Sequence, residues 1–119
     1  MDACDVLVVE DDEATRDSLR YALEEKGLSV RTVPHGGEAL GLLRELRPRV
    51  ILLDVLMPVM NGWRVIESIR QKKELAAIPI IALTGSASSM PLGCNRMLRK
   101  PASTKVLLQA IAPYVGRKD

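Results

Sequence analysis

The chain has no Phe, and its aromatic residues are one Trp and two Tyr among 119 residues. Nucleic-acid binding through base-stacking platforms therefore has almost nothing to build on. Cysteine is nearly absent as well. Cys4 and Cys94 form no metal-type spacing and read as reduced thiols, as in a cytosolic chain. Although 47% of the residues are hydrophobic, no apolar run approaches the roughly 20 residues that cross a bilayer. Asp2 and Asp5 interrupt the start, so no signal peptide is visible, and a cytoplasmic location with no membrane contact is expected. The single histidine, His35, follows Pro34 in an expected turn and reads as a surface residue. Charge of one sign is also scarce: the formal excess is +2. The basic residues, among them Arg44, Arg47, Arg49, Arg70, Lys72 and Lys73, are spread along the chain and read as a solvated surface, so no direct nucleic-acid partner is expected.

What the chain does have is alternation. Apolar segments near Asp5–Val9, Leu28–Val33, Val50–Leu53, Ile80–Leu83 and Arg96–Arg99 read as strands. Between them, residues Glu13–Lys26 put Ala14, Ser18, Leu19, Ala22 and Leu23 on one helical face, and Gly27 caps the end. A second helix is expected over Glu38–Leu46, after a turn at Pro34-His35-Gly36-Gly37 and ahead of Pro48. A third begins near Gly62 and buries Val65, Ile66 and Ile69. The last begins at Ser103 or Thr104 and buries Leu107, Ala110 and Ile111, with Pro113 expected to end or bend it. Val50–Leu53 is apolar throughout, as a parallel strand covered on both faces would be. Strands alternating with helices imply right-handed βαβ units in a three-layer α/β fold. The length suits one domain over residues 1–119.

The polar exceptions fall where these strands end. Glu10-Asp11-Asp12 follows the first, Asp54 ends the third, Thr84 the fourth and Lys100 the fifth. Open parallel sheets bind ligands outside the carboxyl ends of their strands. These groups therefore converge on one small site able to bind a divalent cation and accept a phosphoryl group. Within the acidic cluster, Glu10 and Asp11 come first after the strand. Asp12 and Glu13 begin the helix, where negative charge suits the helix dipole.

The order of these motifs, with Asp54-Val55-Leu56-Met57-Pro58-Val59-Met60-Asn61-Gly62 and Lys100-Pro101, resembles the receiver (phosphoacceptor) domains of two-component response regulators. The resemblance covers nearly the whole chain. It implies a flavodoxin-like, doubly wound five-stranded parallel sheet of order 2-1-3-4-5. It implies Asp54 as phosphoacceptor, Thr84 as hydroxyl donor to a phosphoryl oxygen, and Lys100 paired first with Asp54 and then with the phosphoryl group. It also implies Mg²⁺ (or Mn²⁺), held directly by Asp11 and Asp54, by Glu10 through water and by the backbone carbonyl of Leu56. A cis Lys100–Pro101 peptide would aim the ammonium into the pocket. A sensor histidine kinase or histidine phosphotransfer protein would be the donor, and an unknown effector the target. The chain would catalyse nothing beyond its own phosphoryl transfer and dephosphorylation.

Two features depart from that family. Met97 stands where receivers usually carry Tyr or Phe three residues before the Lys. Only fifteen residues separate Thr84 from Lys100, and Pro91 and Gly93 interrupt them. The fourth helix of the family pattern is therefore expected to be shortened or missing. These departures keep a second reading open, a pseudo-receiver that binds partners without phosphorylation. A nucleotide-binding domain or small flavodoxin-like enzyme is disfavoured, since Glu10-Asp11-Asp12 replaces a glycine-rich phosphate loop.

Overall fold

The computed structural model describes residues 2–55, 62–85 and 93–116. Five strands, β1 (Asp2–Val9), β2 (Val30–Val33), β3 (Leu46–Asp54), β4 (Ile80–Thr84) and β5 (Arg96–Arg99), form one sheet. All pairings are parallel, and the order is β2-β1-β3-β4-β5. The helices described are α1 (Glu13–Glu24), α2 (Gly36–Leu42), α3 (Gly62–Gln71) and α4 (Thr104–Val115).

The layers follow from the two-residue period of a strand. Leu7, Val9, Ile51 and Leu53 point to one face, where Leu43 of the α2 C-cap and Val65, Ile66 and Ile69 of α3 cover them. Val6, Val8, Val50 and Leu52 point to the other, under Leu23 of α1 and Leu107, Ala110 and Ile111 of α4. With both faces covered, the central strands have no solvent side, which is why their sequence shows no alternation.

Several boundaries differ from the sequence reading, each for a packing or capping reason. β1 starts at Asp2 because Asp2, Ala3 and Cys4 pair with Leu46, Arg47 and Pro48, extending β3 below Val50. Pro48 is tolerated there because β4 joins β3 only from Ile51, leaving Pro48 with a neighbour on one side. α2 begins at Gly36, inside the expected turn, because the His35 imidazole caps it: Nδ1 accepts from Glu38 N–H at 3.2 Å. It ends at Leu42, and Leu46 belongs to β3. α1 ends at Glu24, and the chain reverses through Gly27 at φ 85°. Leu28 precedes β2 and is buried in the core. Pro113 does not end α4, which continues to Val115 and the left-handed cap Gly116. So close to the helix end, Pro113 removes a single bond, and exposed Gln109 leaves that carbonyl open to water. The shortened or missing helix expected between β4 and β5 falls on residues 86–92, outside the described residues. Among the described residues, no helix is long and apolar enough to cross a membrane.

Candidate functional site

Each polar group is delivered by the end of a strand. β1 ends at Val9, and Glu10 turns inward with its side chain 1% exposed. Its carboxylate accepts from Asp12 N–H at 3.1 Å, and Arg16 Nη1 donates to its backbone carbonyl at 3.0 Å. Asp11 stays exposed. Asp12 caps α1 by accepting from Thr15 N–H at 2.9 Å and Thr15 O–H at 2.6 Å. Those two bonds hold its carboxyl below the usual pKa. Asp12 is thereby committed to the helix, as its place in the sequence suggests.

β3 ends at Asp54, buried at 4% exposure beside Leu83 of β4. β4 ends at Thr84, which is fully buried and faces Arg99 across the ladder. Lys100 N–H donates to the Thr84 carbonyl at 2.7 Å, which fixes where the lysine leaves β5. The following Lys100–Pro101 peptide is cis. Lys100 Nζ then donates to Glu10 Oε1 at 2.9 Å and to Asp54 Oδ2 at 3.2 Å. Leu56 lies outside the described residues.

Burial pushes the Glu10 carboxyl up in pKa, against the downward pull of the Lys100 hydrogen bond. Burial alone would lower Lys100, but the Glu10 and Asp54 carboxylates outweigh it, and its net shift is upward. The ammonium therefore stays charged. One carboxylate oxygen from each of Glu10, Asp11 and Asp54 lies within 4.8 Å of the others. Three carboxylates thus face a single cation. An all-oxygen donor set with surplus negative charge fits a hard divalent ion such as Mg²⁺.

Sequence reading overlooked two residues here. Arg16 holds the Glu10 carbonyl from one turn into α1, and a cation following an acidic cluster was the available signal. Arg70 reads as solvated surface in the sequence, yet it is bonded at the opposite end of the sheet from Asp54. Its guanidinium donates to Gly93 O at 2.8 Å, Ala76 O at 2.9 Å, Ile78 O at 2.7 Å and Asn95 Oδ1 at 3.0 Å. It ties α3 to the entries of β4 and β5, and no local pattern announces contacts so far apart in sequence.

A parallel sheet of this order, with an acidic cluster, an aspartate, a threonine and a lysine at its carboxyl end, defines a class of signalling domain. The response regulator receiver domain family matches residues 6–112. The chain belongs to that family. It is 33% identical over 117 residues to the polar-differentiation response regulator DivK of Brucella anthropi, covering 93% of this chain and 95% of that one. Among solved structures it resembles the receiver domain of a sensor histidine kinase from Pseudomonas aeruginosa PAO1, with TM-score 0.88, 27% identity, and coverage of 97% and 99%. That structure has a magnesium ion coordinated in its active site cleft. It also resembles the Vibrio cholerae chemotaxis protein CheY4, with TM-score 0.86, 30% identity, and coverage of 96% and 98%.

Proposed function

We propose that this chain accepts a phosphoryl group on Asp54 in a Mg²⁺-dependent reaction and passes the signal to a partner or attached domain. The observation that carries this reading is the buried Asp54 carboxylate with Lys100 Nζ at 3.2 Å and the oxygens of Glu10 and Asp11 close by. The donor is a phosphohistidine of a sensor histidine kinase or a histidine phosphotransfer protein. Asp54 attacks phosphorus with a carboxylate oxygen, the phosphorus–nitrogen bond breaks, and the histidine ring nitrogen leaves with the electron pair. The product is an acyl phosphate on Asp54. Lys100 exchanges its bond to Asp54 for one to the phosphoryl group, as a point charge on a flexible stem can. Thr84 donates its hydroxyl to a phosphoryl oxygen. Asp11 and Asp54 would hold Mg²⁺ directly and Glu10 through water, the three carboxylates that lie together here; the Leu56 carbonyl, implied by the resemblance as a further ligand, is outside the described residues. Bound there, the ion neutralises charge on the transferring oxygens.

Intact-mass measurement after acetyl phosphate and Mg²⁺ tests the reading. The expected result is one phosphoryl adduct in the wild type and none in Asp54→Asn, whose amide is not a competent nucleophile. An adduct that persists in the variant moves the acceptor elsewhere. A wild type that never labels favours the pseudo-receiver.

A further inference from the structure

At the end of the sheet away from Asp54, a recess of about 210 Å³ opens between the C-terminal ends of α2 and α3. Leu40, Leu43 and Leu75 lie at its floor, Leu43 and Leu75 almost wholly buried in the core, and Arg44, Arg47 and Lys72 stand around it, so the wall is more polar than apolar. Glu74 is the one acid among the lining residues. Arg47 is steadied by its own backbone: Nη1 donates to the carbonyls of Leu43 and Leu46. A cation at the end of a helix also answers the helix dipole, which accounts for Arg47. Arg44 and Lys72 have no such bond among the described residues. Among the described residues, none of these three cations has a carboxylate within ion-pair distance, whereas Arg20, Arg49 and Lys100 each have one. Three cations with no carboxylate partner among the described residues, gathered around one recess, concentrate positive potential there.

We propose that this recess docks an acidic segment of a partner protein. Its carboxylates meet Arg44, Arg47 and Lys72. Charge complementarity supports this occupant: three cations line the recess against one acid, Glu74. A protein fits better than a nucleic acid because no aromatic residue lines the recess to stack on a base. β3 carries nine residues from Leu46 beside the recess to Asp54, a separation of roughly 25 Å along the strand. Docking therefore leaves the acceptor site open.

Amide chemical shifts of the labelled chain, titrated with a synthetic peptide of Asp and Glu, test the proposal. Shifts should be confined to residues 40–47 and 72–75 and should weaken as salt rises. Arg44→Glu/Lys72→Glu should bind about tenfold more weakly, its spectrum elsewhere showing that it is folded. Replacing the peptide's Asp and Glu by Asn and Gln should remove the response. If the double variant does not fold, Arg44→Ala serves, with a severalfold loss expected. The idea is overturned by no shift in this patch at millimolar peptide, or by equal binding to the variants. It is equally overturned if oligodeoxythymidylate or anionic vesicles occupy the same residues more tightly than the peptide.

Discussion

Lys100 Nζ bonds the side-chain carboxylates of both buried acids, Glu10 and Asp54. Its removal leaves two carboxylates facing each other behind the protein surface. Lys100→Ala should therefore lose about 1–3 kcal/mol in metal-free buffer, the cost of removing hydrogen bonds to charged groups. Added Mg²⁺ should restore more stability to the variant than to the wild type, because a ligand that binds only the folded state stabilises it by mass action. Calorimetric melting with and without Mg²⁺ checks this, and an equal metal increment in both proteins counts against it. Single residues were legible where one local rule decides. Asp12 follows a strand and precedes a helix, and it caps that helix. His35 was not legible, because an imidazole at the end of an apparent turn gives no sign that it will cap α2.

At the scale of elements, the strands and helices themselves were readable and their ends were not. Gly36-Gly37 looks like a break, yet a capped helix starts there. Glycine at 62 has a different role. A Cβ on Gly62 would lie 2.4 Å from Val55 Cα and 2.9 Å from Val55 Cβ, so α3 can approach the end of β3 only without a side chain. Gly62 N–H also donates to the Val55 carbonyl at 2.9 Å. Backbone cannot yield as a flexible side chain can, so Gly62→Ala should destabilise by about 1–3 kcal/mol. Urea unfolding measures it, and a variant of wild-type stability would mean that α3 can shift at little cost. The register of β1 against β3, which carries both strands several residues beyond their apolar runs, depends on pairing between distant segments that no local pattern records.

The whole molecule is two cores separated by one sheet. Leu52 and Leu53 are adjacent in β3, fully buried, and belong to opposite cores. Leu52→Ala and Leu53→Ala should each cost about 2–5 kcal/mol. In a sheet with one wet face, one of the two would be nearly neutral, so a large difference in their denaturation midpoints would contradict the two-layer covering. The sequence alone determined the alternation of strand and helix and the placing of Glu10, Asp54, Thr84 and Lys100 at strand ends, since periodicity and chain order are local properties. It could not show that Lys100 Nζ spans Glu10 and Asp54, or that Arg70 joins three segments. Nor could it show that Arg44, Arg47 and Lys72, which looked dispersed, surround one recess. Those contacts exist only once strand pairing and helix packing bring remote residues within a few ångströms, because side-chain bonds and unpaired charge depend on distance in space.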